Sequence, residues 1–316
     1  MPGSFNENTA EEKQLDLSVV IPAYNNRGHL QDIVSAIISQ NPAVKEIIVS
    51  HSGEYLPALT ERSEQPLVTM LHSDFMLHSG AARNRGAQLA SGKWLAFIDD
   101  DVIPATDWTA NIRSLLNKTE EKECFVGSID YDTSGGYWGM CLWFIEFGSV
   151  HKYMPSRIIE GGASANMLVS RKLFDATAGF PEKVNRSVDV EFMAKCRTHG
   201  GITKFHSDIV VAHRNIGGFR HCLTHAASLG GGSARIRCKT ALKADITIKY
   251  PLTIPFLFPA RLSLLTYRVL RRGKGYRACF TLLLPGIALA LLAWTIGFAR
   301  FVLKPETTQQ IVSSTK

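Results

Sequence analysis

Three adjacent carboxylates, Asp99, Asp100 and Asp101, directly follow a short apolar run, Trp94 to Ile98. Neighbouring carboxylates repel, so a fold that gathers three of them must solvate them or offset them with a cation. A hard divalent ion such as Mg²⁺ is held by one or two carboxylates plus substrate phosphates, which suits this grouping. The same triplet also reads as a solvated acidic turn or a helix cap. Asp189 and Glu191 stand two apart at the start of a predicted helix, where carboxylates either do chemistry or simply favour the helix dipole. His213 ends a short apolar strand, as a ligand or as a hydrogen-bonded structural histidine. Arg83 and Arg85 lie in an Ala-rich helix, facing an anion or water.

The elements that must position these groups follow from periodicity. Asp16 to Pro22 is a β-rich run opening into a loop. Leu30, Ile33, Val34, Ile37 and Ile38 then recur at the period of a helix packed on a sheet. Strands are predicted at Val44 to Ser50 and Leu67 to Leu71, and a helix from Ser79 to Ser91 with Gly92 as its stop. The run Lys93 to Ile98 is a buried strand, so the Asp triplet falls at its carboxyl end, the edge where open α/β sheets collect ligands. A helix is expected from about Ala105 to Asn117 and a strand near Cys124 to Ile129, followed by an aromatic, irregular stretch from Tyr131 to Arg157. Next come a strand at Ala163 to Ser170, a helix from about Val188 to His199, and two short strands, Ile202 to Phe205 and Ile209 to Ala212. Strand, helix and strand with short links predict an α/β fold with a mostly parallel central sheet.

Charge and hydropathy divide the chain. The net charge is +7, yet Arg235 to Arg277 holds eleven Lys or Arg against Asp245 alone, leaving 24 against 27 elsewhere. Nucleic acid could meet such a patch, but the neighbouring apolar run favours anionic lipid headgroups. Tyr250 to Ala260 carries three prolines and is unsuited to a straight spanning helix. Cys279 to Ala299 has 21 residues without a charge, about 31 Å as a helix, against a hydrocarbon core of about 30 Å. It is expected to be a membrane segment, with Pro285 as a kink; a buried core helix is the other reading. The six cysteines have no zinc-type spacing and read as reduced thiols. The resulting division is a disordered lead-in at 1–15, an α/β domain at 16–235, a basic interfacial segment at 236–277, a transmembrane or membrane-inserted helix at 278–304 and a polar tail at 305–316.

Five motifs stand in order: Val-Val-Ile-Pro-Ala-Tyr-Asn at 19–25, Gly-Ala-Ala-Arg-Asn-Arg-Gly at 80–86, Ser-Gly-Lys-Trp-Leu-Ala-Phe-Ile-Asp-Asp-Asp at 91–101, Ala-Gly-Phe at 178–180 and Asp-Val-Glu at 189–191. As a set they resemble the family 2 glycosyltransferases of the GT-A fold, over roughly residues 16 to 235. The resemblance implies a nucleotide-diphosphate sugar donor, Mg²⁺ or Mn²⁺, and inverting transfer to an acceptor hydroxyl. It implies Asp99 and Asp101 as outer acids of a D-x-D motif, Asp101 the direct metal ligand, and Asp100 nearer the ribose. Pro22, Ala23 and Tyr24 would line the nucleotide pocket and Arg83 would approach the base or diphosphate. Asp189 matches the general base, Glu191 would help position an acceptor, His213 would touch metal or diphosphate, and Gly161 and Gly162 would pass close to donor sugar and acceptor.

The chain departs from the family pattern in three places. Val188 stands where an acid usually precedes the base. Ser50-His51-Ser52-Gly53 replaces the usual strand-end Asp, so Ser50, His51 or backbone would read the nucleobase. Asn26-Arg27 stands where an acid is common. A dinucleotide-binding enzyme is excluded by the absence of a Gly-rich first turn. A nucleotidyltransferase, or a membrane-tethered scaffold that does not turn over, remains as an alternative. The basic run before Cys279 places the catalytic domain on the cytoplasmic side of an inner or cell membrane. The expected partners are therefore the donor, a glycan or lipid-linked acceptor and membrane lipids, with no nucleic acid.

Overall fold

The structure, a computed structural model, describes residues 14–25, 28–56, 66–184, 186–240 and 246–304. The expected lead-in up to residue 13, the Asn26-Arg27 pair and the tail 305–316 lie outside the described residues. One nine-stranded sheet forms the centre. In chain order its elements are β1 (Gln14–Tyr24), α1 (Leu30–Ile38), β2 (Ala43–Ser52), β3 (Leu67–Leu71), α2 (Ser79–Leu89), β4 (Trp94–Ile98), β5 (Val102–Pro104), α3 (Trp108–Leu116), β6 (Glu123–Tyr131), α4 (Gly136–Phe147), β7 (Arg157–Ile158), β8 (Asn166–Ser170), α5 (Arg171–Ala176), α6 (Val188–Thr198) and β9 (Ile202–His213). Four helices follow: α7 (Phe219–Thr240), α8 (Ile246–Lys249), α9 (Leu257–Arg272) and α10 (Arg277–Val302).

The strand order is β3-β2-β1-β4-β8-β6-β9-β5, with β7 on β9. The first four strands pair in parallel, while β8 runs antiparallel between β4 and β6. β1, β2 and β4 are near-continuous apolar runs because helices cover both faces, as parallel sheets require. Their carboxyl ends meet side by side, bringing Tyr24 at the end of β1 next to the Asp triplet. The register of the antiparallel β5–β9 pair sets Val102 opposite His213. This pairing brings Asp101 and His213 together although 112 positions separate them.

Three expectations are corrected. The aromatic stretch from Tyr131 to Arg157 contains a regular helix, α4. It carries apolar side chains almost all round because it is packed between β6, α7 and α10, so it has no amphipathic signature. The two strands expected at 202–205 and 209–212 are one strand, β9, whose register shift against β6 falls at Gly127/Ser128. The domain boundary expected at residue 235 falls inside α7, which continues through Gly230-Gly231-Gly232.

Those glycines serve close packing. A Cβ on Gly230 would lie 1.9 Å from the Trp294 carbonyl oxygen, and one on Gly297 would lie 1.9 Å from that of Ala227. α7 and α10 therefore touch backbone to backbone, and α10 is a packed wall of the fold on one side. Gly297→Val should lower unfolding free energy by about 2 kcal/mol through overpacking. Gly231→Ala, whose Cβ would meet nothing nearer than 3.7 Å, should leave stability unchanged or raised by up to about 1 kcal/mol. Denaturant titration of the two variants reads the contrast.

Candidate active site

A cleft of about 1020 Å³ opens over the carboxyl ends of β1 and β4. Pro22, Ala23, Tyr24, Arg83, Asp99, Asp100, Asp101, Gly161, Gly162, Asp189 and His213 all line it. The three aspartates point to different partners. Asp99 accepts a hydrogen bond from Arg83, whose side chain is almost wholly buried. Asp100 accepts from the Tyr24 backbone N–H at 3.3 Å, tying the triplet to the end of β1. Asp101 Oδ1 stands 3.5 Å from His213 Nε2.

The histidine ring is oriented from behind. His213 Nδ1 lies 3.1 Å from Asn215 Oδ1, a contact that sets the ring with Nε2 toward Asp101. Among the described residues no group of three or more His, Cys, Asp or Glu could hold a metal by itself. Two protein donors beside an open cleft fit a hard cation that completes its shell with phosphate and water.

Arg83 is held on Asp99 at the cleft wall. Its Nη2 reaches Asp99, but Nε and Nη1 are buried without a hydrogen-bond partner. A buried, unsatisfied guanidinium edge at a cleft wall is costly unless a ligand fills it. The next residue fixes the helix that carries it. Asn84 accepts from the Phe180 N–H at 2.8 Å and donates to the Phe180 carbonyl at 2.9 Å. Gly179 at φ +69° makes that turn, and a Cβ there would lie 2.4 Å from Asn84 Oδ1. Phe180 in turn stacks on Phe192 of α6, with ring centroids 4.2 Å apart. Three of the five sequence motifs thus form one packed unit that sets Arg83 and Asp189 on the same cleft.

Asp189 opens α6. Its Oδ1 accepts from the Val190 N–H at 2.9 Å and its Oδ2 from the Ser164 N–H at 3.4 Å. Ser164 belongs to the loop after Gly161 and Gly162. A Cβ on Gly162 would lie 2.8 Å from Val126, so that loop lies directly on the sheet. Burial pushes the Asp189 carboxyl above its ordinary value, while the Val190 hydrogen bond and the charge of Arg83 pull the other way.

Three expected site residues lie elsewhere. Ser50 is fully buried beneath α2, with its Cβ near Gly86, one rung too deep in β2. Ser52, two residues on and on the same strand face, reaches the cleft and accepts from the Leu77 N–H. His51 is buried and stacks on His72 at 5.1 Å, away from the cleft lining. Glu191 turns from the cleft to α7, where it pairs with Arg235 at 3.1 Å and with Lys239. Burial raises its carboxyl, but those two cations outweigh burial and hold it below its ordinary value.

The far end of the cleft was not expected from the sequence. It is lined by Arg186, by His221 and His225 of α7, by Arg261 of α9 and by Trp294 of α10. His225 Nε2 is 3.4 Å from Glu146 of α4, and Arg261 lies 3.9 Å over the Trp294 ring. The only signal was the i, i+4 spacing of the two histidines, on a helix whose glycines concealed it.

The family model of glycosyl transferase family 2 matches residues 18–177, about half of the 316 residues. The chain belongs to that family. It is 31% identical to the uncharacterized glycosyltransferase YibD of Escherichia coli over 121 residues, 34% of this chain and 33% of that one. It is 24% identical to the glycosyltransferase AglE of Haloferax volcanii over 203 residues, 62% of this chain and 66% of that one. The first curated relatives are matched over about a third of their own length. The mannosyltransferase PcManGT of Pyrobaculum calidifontis, solved with GDP-Man and Mn²⁺, superposes with a TM-score of 0.57 at 16% identity, over 90% of this chain and 87% of that one. The shared fold is the GT-A type.

The position of Asp189 gives a direct check. Carboxyl NMR of labelled aspartate should show one cleft carboxyl titrating above the ordinary aspartate value of about 3.9. Arg83→Met should move it higher still, because the opposing positive charge is gone.

Proposed function

We propose that the protein is an inverting glycosyltransferase that moves a sugar from a nucleotide-diphosphate sugar to an acceptor hydroxyl. The observation that carries this reading is the meeting, in one cleft, of Arg83, of Asp101 with His213, and of a carboxylate, Asp189, that burial holds above its ordinary pKa. A nucleotidyltransferase has no need of that carboxylate.

The roles follow from the chemistry. Displacement at the anomeric carbon expels a nucleoside diphosphate, whose growing charge must be met by fixed positive groups. Arg83 brings its positive charge to the cleft wall beside that leaving group, with its Nη2 held on Asp99. Asp101 and His213 would hold Mg²⁺ or Mn²⁺, which supplies further charge to the diphosphate when bound. Pro22, Ala23, Tyr24 and Ser52 form the nucleotide side of the cleft, with Asp100 holding the Tyr24 backbone. Gly161 and Gly162 let the backbone before Ser164 lie close on Val190 and Val126, and that backbone lines the cleft where the sugar would lie. Asp189 takes the proton of the acceptor hydroxyl as it attacks, and its raised pKa makes it a better base than an ordinary aspartate. The basic and aromatic far end, with Arg186, His221, Arg261 and Trp294, suits an acceptor that carries a negative charge. A lipid-linked glycan joined through phosphate is such an acceptor, and the apolar helix α10 supports membrane association.

Hydrolysis and transfer should be measured with a panel of UDP- and GDP-sugars and Mn²⁺. Asp189→Asn should lower turnover by about 10²–10⁴-fold with donor affinity kept. Asp101→Ala should lose both turnover and the dependence on Mn²⁺. A folded protein that binds no nucleotide sugar would sink the transferase reading, and full activity in Asp189→Asn would remove the base assignment alone.

A further inference from the structure

Helix α10 has the length and hydropathy of a membrane crossing, but its contacts do not suit one. Packing partners run along nearly all of it. Phe280 lies 5.2 Å from Phe144 of α4, Gly286 meets Cys141 and Tyr137, Gly297 meets the Ala227 backbone, and Phe298 lies 5.3 Å beneath Arg237 of α7. Phe280 to Phe298 spans about 27 Å at a helical rise of about 1.5 Å per residue, nearly the whole of a hydrocarbon core of about 30 Å. A crossing α10 would carry α4 and α7 into the hydrocarbon, with Glu146, His225, Arg235 and Arg237 aboard. Ionised groups at that depth are expensive.

The outer side of the same layer is apolar. In the Pro251–Phe256 turn, Leu252 is 92% exposed and Phe256 71%. On α10, Leu282 is 78% exposed, and Leu289, Leu292 and Ile296 continue the stripe at helical spacing. The turn, α9 and α10 pack against one another. From Ile246 to Lys304 the chain holds nine Lys or Arg and no Asp or Glu. An exposed apolar face on a segment whose only charges are positive is complementary to an anionic lipid surface, into which such helices sink in plane.

We infer that the Pro251–Phe256 turn, α9 and α10 form an in-plane seat on an anionic membrane, with both ends of α10 on the side that holds the catalytic cleft. The seat also shapes the cleft, because Arg261 and Trp294 reach it from α9 and α10. An acceptor whose lipid tail stays in the bilayer could thus present its head group to the far end of the cleft. That consequence rests on the transferase reading above, whereas the seat itself does not.

The test uses the full chain with a C-terminal epitope tag, mixed with preformed vesicles of phosphatidylcholine alone or with phosphatidylglycerol. The protein should float with the anionic vesicles and not with the neutral ones, and external protease should remove the tag from the bound protein. Leu282→Glu with Leu289→Glu should weaken flotation at least tenfold, with the thermal midpoint and vesicle-free donor hydrolysis unchanged. A tag protected from protease would establish a crossing and overturn the inference. So would failure to float combined with a dimer that the double variant dissociates, which would make this face a subunit contact. Flotation without donor hydrolysis would support the seat and count against the transferase reading alone, so the two failures are distinguishable.

Discussion

Mutual repulsion among Asp99, Asp100 and Asp101 is the constraint on which the rest of the site depends. Three carboxylates at the end of one buried strand are tolerable only if each has its own compensation. The fold supplies a guanidinium for Asp99, a backbone N–H for Asp100, and a histidine for Asp101. Each compensation comes from a different element. α2 must lie close over β1 and β2 to bring Arg83, and Gly86 makes that possible, since a Cβ there would lie 2.5 Å from Val20. β5 must turn back onto β9 to bring His213. The parallel order β2-β1-β4 then puts Tyr24 beside the triplet.

The second half of the cleft depends on a different contact, between the backbones of α7 and α10. Without the close approach at Gly230 and Gly297, neither Trp294 nor Arg261 would stand beside His221 and His225. The C-terminal helices are thus a structural part of the cleft wall, and the apolar surface they expose is what remains after one side of each has been used for packing. Glu191 belongs to this same frame. Its ion pairs with Arg235 and Lys239 fasten α6, which carries Asp189, to α7. Buried pairs of this kind contribute less net stability than geometric definition.

Much of the sheet half was legible in the sequence. The β-rich runs, the amphipathic period of α1 and the glycine after α2 are local signals, and the five ordered motifs located Asp99, Asp101, Asp189 and Arg83 on one cleft. What stayed hidden depends on tertiary contact. α4 is apolar on nearly every face, and three consecutive glycines in α7 give no helix signal of their own because their value lies in the close approach of α10. The family pattern places Ser50 at the end of β2, whereas β2 runs on to Ser52, which lines the cleft. An acid two residues from the expected base invites a role in the site, and only the position of α7 shows Glu191 turned toward cations.

The central claim is that Asp101 and His213, with Arg83, bind the diphosphate of a sugar nucleotide opposite Asp189. The most direct measurement is anomalous diffraction from crystals grown with Mn²⁺ and a nucleoside diphosphate. The account predicts a manganese peak within coordination distance of Asp101 Oδ1 and His213 Nε2, a phosphate oxygen beside Arg83, and open space for a sugar between that phosphate and Asp189. A manganese peak bound away from Asp101, or a diphosphate whose β-phosphate points away from Asp189, would contradict it.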